Sequence, residues 1–298
     1  MIIAENEKIL LFDINGKFIC SIGSKGQGPG EYISIKNVSI DENNKILFIN
    51  ARKKIICYDL NGNYLKEFFI NQKDELIIDR NIIDMNYIND ELLIIIEQID
   101  RKDKGRFNHH STLFLLNFEL KIVDSCDIRD NYFEKAGWFN NIYENAIFNL
   151  NSNVYLYYSD LYYEQQNPLE AVLRDTFYHF ENNKLIPELR LKFKNDGIDA
   201  SGKKYIQLYN IFKSSRYVFA CYFNSKNNNL NYFCYDTKTE RGYNMIEGYT
   251  DDINKIEKRV EIRPLILNTD LFYYWHTNMK PDDIEEPNPT LYIGTLKK

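Results

Sequence analysis

Long apolar runs are missing from this sequence. The longest wholly apolar stretches, such as Leu92–Ile96, are far shorter than the ~20 residues that a membrane-spanning helix requires. Charges at Glu5, Glu7 and Lys8 stand where a secretory signal would have its apolar core. We therefore predict no transmembrane segment and no export signal in the chain as written, which leaves its location open.

Basic clusters are lacking as well. The net charge is −6, and the 37 lysines and arginines are spread along the chain instead of being gathered into runs with aromatic residues between them. Nucleic-acid-binding proteins usually concentrate basic residues on one surface, because contacts to phosphate supply much of the affinity. We predict no nucleic-acid partner.

Cysteine is scarce and follows no metal or redox pattern. The five cysteines are an odd number and include no Cys-x-x-Cys pair, which argues against a zinc knuckle, a redox motif or a full disulfide framework. Buried free thiols are the simpler interpretation. One alternative stays open: Cys221 and Cys234 flank NSKNNN in a predicted hairpin, and a favourable register would allow them to pair.

An internal repeat is the main feature that the sequence does contain. Lys8–Ile22, KILLFDINGKFICSI, aligns without a gap on Lys54–Phe68, KIICYDLNGNYLKEF, at an offset of 46 residues. In both segments an apolar run ends in an aromatic residue and aspartate, an Asn-Gly pair follows, and a second run begins. This pattern predicts two antiparallel strands joined by a tight turn.

Weaker copies of the repeat continue to the end of the chain. The spacings between successive copies are 46, 58, 62, 57 and 58 residues, measured between Phe12, Tyr58, Leu116, Tyr178, Tyr235 and Ile293. Two more short strands are predicted between markers, and no segment has a convincing helical stripe. The sequence therefore predicts an all-β fold, a six-bladed β-propeller of four-stranded antiparallel blades, as a single domain over residues 1–298.

The two end blades are expected to be incomplete. At the offset of 46, Met1 falls on Leu47, so the first blade has no counterpart of the predicted strand Tyr32–Ile40. After Ile293 too little chain follows for a fourth strand. We expect the first blade to lack its innermost strand and the last blade its outermost. Either an upstream piece is absent from this chain, or the ring is left open or completed by another copy.

A glycine-rich segment, Gly23–Tyr32 (GSKGQGPGEY), first suggests a phosphate-binding loop. A P-loop needs Gly-Lys-Ser/Thr at the start of a helix, whereas here Pro29 removes a backbone donor and a strand pattern follows. The repeat makes this segment the connector between the first and second blades. Its glycines would allow a tight crossing from the outer strand to the inner one.

The order of IGSKGQGPGEY, VSIDENNKILFIN and KIICYDLNGNYLKEF resembles the six-bladed β-propeller family of Gram-negative envelope proteins related to the NHL repeat. The resemblance is close over residues 1 to about 70 and rests on blade rhythm beyond them. Members are commonly exported or lipid-anchored, and most have no assigned activity. The resemblance therefore implies the fold, and a periplasmic or cell-envelope location if an upstream signal is missing.

Long loops are predicted on one face of the propeller, where binding residues are usually found. They include residues 97–111, 159–175 and 277–289, while the other face has short turns. Aromatic, basic and histidine side chains near this face are candidate ligand-binding residues. They are Tyr32, Arg101, Arg106, His109, Trp138, Tyr162, Tyr163, Arg174, Trp275 and His276.

No catalytic motif is recognisable. Asp13, Asp59 and Asp236 share one position of the repeat, which favours a turn role over acid–base chemistry. His109 and His110 are adjacent and are predicted to be solvated loop residues, with no third metal ligand at a telling spacing. No Gly-x-Ser-x-Gly elbow is present.

Two functions stay open. The sequence favours a non-enzymatic binding or scaffolding propeller that recognises a glycan, peptide or partner protein and needs no cofactor. The alternative is a metal-dependent propeller enzyme, lactonase-like or lyase-like, with calcium or zinc at the mouth of the central channel. Its ligands would come from inner-strand residues such as Asn37, Glu144 or Asn145, or from His276.

Overall fold

A computed structural model describes most of the chain. The described residues are 2–5, 7–13, 15–70, 77–101, 107–133, 139–140, 146–158, 161–162, 175–200, 205–246, 248–265, 267, 269–277 and 289–296. Regular structure in these residues consists of strands and one 3-10 helix, Lys194–Gly197. No helix among them is long and apolar enough to cross a membrane.

The strands follow one another in short segments. In the first half of the chain they are β1 (Ile2–Glu5), β2 (Lys8–Phe12), β3 (Phe18–Ser21), β4 (Asn37–Asp41), β5 (Ile46–Asn50), β6 (Lys54–Asp59), β7 (Tyr64–Phe69), β8 (Ile77–Ile88), β9 (Glu91–Arg101), β10 (Phe107–Leu116), β11 (Ile122–Phe133) and β12 (Phe139–Asn140). In the second half they are β13 (Ile147–Leu150), β14 (Asn153–Leu156), β15 (Leu161–Tyr162), β16 (Thr176–Glu181), β17 (Lys184–Arg190), β18 (Ile206–Lys213), β19 (Tyr217–Asn224), β20 (Asn229–Asp236), β21 (Arg241–Ile246), β22 (Tyr249–Asp251), β23 (Ile256–Val260), β24 (Arg263–Pro264), β25 (Leu271–His276) and β26 (Thr290–Thr295).

These strands form the six blades of a β-propeller, as the sequence predicts. Blades one to six are β1-β2-β3, β4-β5-β6-β7, β8-β9-β10-β11, β13-β14-β16-β17, β18-β19-β20-β21 and β24-β25-β26. Two small sheets, β12-β15 and β22-β23, lie outside the blades. Blades one and six have three strands each, which confirms the expectation that the end blades are shorter.

The chain divides into two compact units. The first contains Met1–Ile147 and Phe180–Ile186, and the second contains Phe148–His179 and Pro187–Lys298. In the first unit, apolar side chains of neighbouring blades interdigitate: Phe48 of blade two stacks on Tyr87 of blade three, with ring centroids 5.2 Å apart. Burial of these side chains is the main force that holds successive blades together.

The second unit has its own aromatic core between blades five and six. The rings of Phe219 and Phe272 lie edge to face, with centroids 5.1 Å apart, and Tyr217 also contacts Phe272. All three side chains are buried. The abundance of aromatic residues in the sequence is therefore explained in this region by packing between blades.

The turn role of the repeated aspartates is confirmed. Oδ1 of Asp59 accepts hydrogen bonds from the backbone N–H groups of Asn61 and Asn63 at 2.9 and 2.8 Å. Asp13 accepts equivalent bonds from Asn15 and Lys17, at 2.8 Å each. Each side chain satisfies backbone donors of its turn, which is the role that the repeat predicts.

One loop prediction is wrong. Residues 97–111 were expected to form a long loop, but most of them extend β9 and β10, whose pairing continues to Arg101 opposite Phe107. The strands of blade three contain ten to twelve residues, against four to six in blades one and two. Charged residues in EQIDRKD indicated a loop, yet in the folded chain several of the polar side chains of this region pair with one another.

The alternative left open by the sequence, a pairing of Cys221 with Cys234, is excluded, and the expectation of buried free thiols is confirmed for these two residues. The register of β19 and β20 places Cys221 opposite Tyr232 and Cys234 opposite Phe219, so the two thiols are not cross-strand neighbours. Both cysteines are free and buried. Burial raises the pKa of Cys221 to about 12 and that of Cys234 to about 11, which keeps both thiols protonated and unreactive at neutral pH.

A reductant is therefore expected to leave thermal stability unchanged. No disulfide links β19 to β20, so adding dithiothreitol should not shift the midpoint of thermal unfolding. Thiol titration in denaturant should count five free cysteines per chain. A count of three, together with a lower midpoint in reductant, would contradict this assignment.

Candidate functional site

Carboxylates of the chain itself occupy the backbone donors of the glycine-rich connector. Oε2 of Glu31 accepts the N–H of Gly28 at 2.8 Å, and Oε2 of Glu67 accepts the N–H of Gly30 at 3.2 Å. Gly30 has a φ of +74°, and a Cβ there would lie 2.9 Å from Tyr64 and from the hydroxyl of Tyr58. The glycines thus allow close packing in a connector between blades one and two, as predicted, and the loop is not a phosphate cradle.

Tyr32, one of the candidate binding residues, lies inside this packing. Its ring is 2% exposed, and its hydroxyl donates to the carbonyl oxygen of Ile22 at 3.0 Å. A Cβ at Gly23 would approach the ring to within 2.7 Å. Tyr32 therefore has a packing role in the structure.

His109 lies on β10 and is not a solvated loop residue, contrary to the sequence prediction. Its side chain is 0% exposed, and Nε2 lies 2.7 Å from Oε1 of Glu97 on the neighbouring strand. His110, the next residue, points to the opposite face of the sheet, where Nε2 lies 2.7 Å from the hydroxyl of Thr112. The two imidazoles are thus held apart by the strand, as the alternation of a strand requires.

Several candidates lie outside the described residues. They are Arg106, Trp138, Tyr163 and Arg174, and the side chains of Arg101 and Tyr162. Their binding role stays a prediction. Of the long-loop candidates, this leaves Trp275 and His276, which end β25 directly before residues 278–288.

An apolar surface surrounds Trp275 on one face of blade six. The register pairs Trp275 with Leu291 and Tyr273 with Ile293, so the four side chains share a face. Trp275 is 46% exposed and Ile293 is 52% exposed. We call this set, Tyr273, Trp275, Leu291 and Ile293, the last-blade surface.

The opposite face of blade six is fixed by packing and hydrogen bonds. Tyr274 stacks on Tyr292 with centroids 4.9 Å apart, and its hydroxyl donates to Oδ2 of Asp251 in the β22–β23 turn. That hydroxyl, together with the amide of Asn254, holds the pKa of Asp251 below its usual range. His276 belongs to this face, because it pairs with Thr290, so the sheet separates it from Trp275.

A buried carboxylate ties three blades together in the first unit. Asp84 of β8 is 2% exposed and accepts the N–H groups of Ala146 and Ile147 at 2.5 and 2.7 Å, at the start of blade four. It also accepts its neighbour Met85 N–H at 2.8 Å and the side-chain amide of Asn37 in blade two. Burial raises the pKa of Asp84 to about 7, while the backbone N–H donors act in the opposite direction.

The inner-strand residues named for a metal enzyme are only partly described. The side-chain amide of Asn37 is hydrogen-bonded to neighbouring residues. In addition to its bond to Asp84, Nδ2 donates to the carbonyl of Met85 at 3.0 Å, and Oδ1 accepts from the side-chain amide of Asn50 at 2.9 Å. Glu144 and Asn145 lie outside the described residues. Within the parts of the chain that are described, no group of three His, Cys, Asp or Glu side chains is arranged to hold a metal ion.

The sequence prediction missed two structural features, the Asp-x-x-Asn turns and the buried carboxylate of Asp84. In Asp-x-x-Asn turns, Asp41 accepts the N–H groups of Asn43 and Asn44, both at 3.0 Å, and Asp251 does the same for Ile253 and Asn254 at 2.8 and 2.9 Å. The shared letters of DENN and DDIN were a usable signal. No such signal marked Asp84, because three of its four donors, from Asn37, Ala146 and Ile147, are 47 to 63 residues away along the chain.

Comparison with known proteins identifies the family. The model of DUF4934, a domain of unknown function, matches residues 1–293. The chain belongs to the DUF4934 family. Curated proteins offer no match to this DUF4934 chain.

Several solved structures are similar to this chain. The DUF4934 chain is similar to a Bacteroides fragilis protein described as exported, with a TM-score of 0.60 and 17% identity, over 98% of this chain and 86% of the other. It is also similar to a Bacteroides caccae protein of unknown function (TM-score 0.47, 9% identity, 97% and 88% coverage) and to an oligogalacturonate lyase of Vibrio parahaemolyticus (0.47, 11%, 97% and 68%). At 17% identity, the likeness to the Bacteroides fragilis protein is one of fold alone.

Proposed function

We propose that this DUF4934 propeller is a non-enzymatic binding protein whose last-blade surface contacts a peptide or partner protein. The main support for this proposal is Trp275, a large aromatic side chain that is 46% exposed beside Leu291, on a sheet whose other face is packed. Tryptophan is enriched among the residues that dominate binding energy at interfaces, since it offers a large rigid area at low entropic cost.

The apolar composition of the last-blade surface favours a polypeptide over a glycan. Tyr273, Leu291 and Ile293 carry a single hydroxyl among them, whereas a sugar presents many hydroxyl groups that need hydrogen-bonding partners. The similar Bacteroides fragilis protein is described as exported, which favours a cell-envelope setting for this function, in line with the resemblance found in the sequence.

Trp275→Ala is expected to weaken ligand binding by at least about 30-fold, the effect of losing an interface residue worth 2 kcal/mol. The purified protein would be tested against a peptide-display library and a glycan array, and the affinities of the selected ligands measured. Tyr243→Ala is the matched control, since Tyr243 is 51% exposed on blade five, away from the last-blade surface. Equal affinity of wild type and Trp275→Ala for every ligand would contradict the proposal.

A metal analysis tests the enzymatic alternative separately. Under the binding proposal, a chelator should leave the unfolding midpoint unchanged, as should added calcium or zinc. A metal bound to the native state would raise the midpoint, because ligand binding stabilises the state that binds it. Stoichiometric metal in the purified protein, with a midpoint several degrees lower in chelator, would overturn the non-enzymatic proposal.

A further inference from the structure

Asn-Gly pairs occupy the same turn position in blades one and two. Asn15-Gly16 joins β2 to β3, and Asn61-Gly62 joins β6 to β7. In both turns the glycine has a positive φ, +78° at Gly16 and +87° at Gly62, and its N–H donates to the carbonyl oxygen of the repeated aspartate at 3.1 Å. The two turns share one backbone design, so a difference in their chemistry comes from their surroundings.

An Asn-Gly pair carries a nucleophile and an electrophile on adjacent residues. The backbone nitrogen that follows an asparagine attacks Cγ of the side-chain amide in an intramolecular reaction, which proximity accelerates. Glycine favours this attack, because the absence of Cβ leaves the nitrogen accessible and the backbone free to adopt the conformation of the ring that forms. Asparagine is accordingly one of the thermolabile residues of proteins. Water is the only co-reactant.

The turn of blade one leaves this pair open to reaction. Asn15 and Gly16 are both exposed, and a Cβ at Gly16 would meet no atom within 4 Å. The side-chain amide of Asn15 makes no hydrogen bond in the part of the chain that the structure describes. For the attack, the backbone bond from the Gly16 N–H to Asp13 has to open, while the side chain of Asn15 is already free to turn.

The turn of blade two is more restrained. Gly62 is partly buried, and a Cβ there would lie 3.8 Å from the carbonyl oxygen of Ser21 in blade one. The N–H groups of Asn63 hold the pKa of the Asp59 carboxyl below its usual range, and the side-chain amide of Asn61 acts in the same direction. The side chain of Asn61 is therefore drawn towards Asp59 and away from the nitrogen of Gly62.

The strand that follows the turn is also held less firmly in blade one. β3 contains four residues, three of them exposed, whereas β7 contains six. Local opening costs less where few backbone bonds and little buried surface are lost. The turn of blade one is thus expected to open more often than its counterpart in blade two.

We propose that Asn15 is a site of spontaneous deamidation, through which blade one loses the anchor of its outer strand. The nitrogen of Gly16 bonds to Cγ of Asn15, and the C–N bond of the side-chain amide breaks. The leaving NH2 group takes the proton of the Gly16 N–H and departs as ammonia, which leaves a succinimide ring. Water then opens the ring at one of its two carbonyl carbons, which receives the hydroxyl group, while the nitrogen receives the proton. The product is an aspartate or an isoaspartate.

The isoaspartate disrupts the turn because its backbone runs through the side-chain carbon and is one atom longer. Oδ1 of Asp13 accepts the N–H groups of Asn15 and Lys17, both at 2.8 Å, from the two sides of the glycine. A longer chain moves the N–H of Lys17 away from this oxygen. The next contact across the hairpin is that of Phe12 with Phe18, whose ring centroids lie 5.9 Å apart. Deamidation therefore loosens β3 from its turn end.

The test incubates the purified protein at neutral and at mildly alkaline pH and follows both Asn-Gly pairs by peptide mass spectrometry. We expect Asn15 to deamidate at least about fivefold faster than Asn61 in the folded protein, because its turn opens more easily. Both rates should rise with pH, since the attacking nitrogen has to lose its proton. In urea, where neither turn is formed, the two rates should agree within about twofold.

Asn15→Gln is the matched variant. Glutamine keeps the amide but has to close a larger ring, and the φ of Asn15 is not positive, so glutamine fits the turn without strain. After incubation, hydrogen exchange of Phe18–Ser21 should be faster in the wild type and unchanged in Asn15→Gln. Asn61→Gln should leave the faster exchange in place, which assigns the effect to blade one.

Three outcomes would overturn the inference. The first is that Asn15 is lost no faster than Asn61 in the folded protein. The second is a preference for Asn15 that persists in urea, because it would assign the difference to the local sequence and not to the fold. The third is unchanged hydrogen exchange of β3 in protein whose Asn15 has deamidated.

Discussion

Asp84→Asn is expected to destabilise the protein by about 2–6 kcal/mol, because it leaves two buried hydrogen-bond donors unsatisfied, each at a cost of about 1–3 kcal/mol. The carboxylate of Asp84 accepts four hydrogen bonds, two at each oxygen, from Asn37, Met85, Ala146 and Ile147. Asparagine replaces one of these oxygens by an NH2 group, which cannot accept. Two N–H groups would then face the NH2 group of asparagine in a buried site. Urea unfolding would measure the resulting loss in the free energy of unfolding.

The control is Asp127→Asn in the same blade, where the side chain of Asp127 is 74% exposed. Removal of the negative charge of Asp127 should change the free energy of unfolding little, because exposed charge pairs contribute at most about 1 kcal/mol. A similar loss in both variants would contradict a special role for Asp84.

The pH dependence of the same variant follows from the raised pKa. Asp84 titrates near its ordinary value of 3.8 in the unfolded chain and at about 7 in the folded protein. Between these values the folded state holds the extra proton, so the contribution of Asp84 to stability is complete below pH 3.8 and falls as the pH rises towards 7. The difference in unfolding free energy between wild type and Asp84→Asn should therefore be larger at pH 5 than at pH 8. A difference that grows with pH would contradict a raised pKa.

Glu67→Gln is expected to destabilise the protein by about 3 kcal/mol, because it leaves a nearly buried ammonium group without its counter-ion. Nζ of Lys54 lies 2.9 Å from Oε2 of Glu67, and the two side chains are 10% and 13% exposed. The same oxygen accepts the N–H of Gly30. The substitution therefore weakens both an ion pair and an anchor of the glycine-rich connector.

An exposed ion pair in the first unit provides the comparison. Nζ of Lys25 lies 2.5 Å from Oε1 of Glu7, but the two side chains are 56% and 57% exposed. Glu7→Gln should leave the urea midpoint unchanged, since solvent screens such pairs. Equal midpoints for wild type and Glu67→Gln would show that Lys54 finds compensation elsewhere and would contradict the assigned role of the pair.

The sequence predicted the fold because the blades repeat a local signal. Asp13 and Asp59 each accept hydrogen bonds from backbone N–H groups two and four residues away, so the turn is encoded within a few positions. Strands joined by short turns then pair with their neighbours in order. The class, the number of blades and the shorter end blades all follow from information of this short range.

The sequence predicted little of blade three and less of the site. Residues 97–111 look like a loop because most of them are polar. Contacts between strands, such as that of Glu97 on β9 with His109 on β10, are absent from the sequence pattern. The face shared by Trp275 and Leu291 depends on the register between β25 and β26, which residues 277–289 separate in the sequence. Long-range contacts of this kind leave no periodic trace in a single sequence.

The glycine-rich connector has a consequence for the order in which the first unit opens. The N–H of Gly30 is bonded to a side chain of β7, and the carbonyl of Gly30 accepts the hydroxyl of Tyr58 from β6 at 2.6 Å. Opening this loop therefore requires the outer half of blade two to separate. The Gly30 amide should exchange with solvent as slowly as a strand amide, and blades one and two should unfold as one cooperative unit.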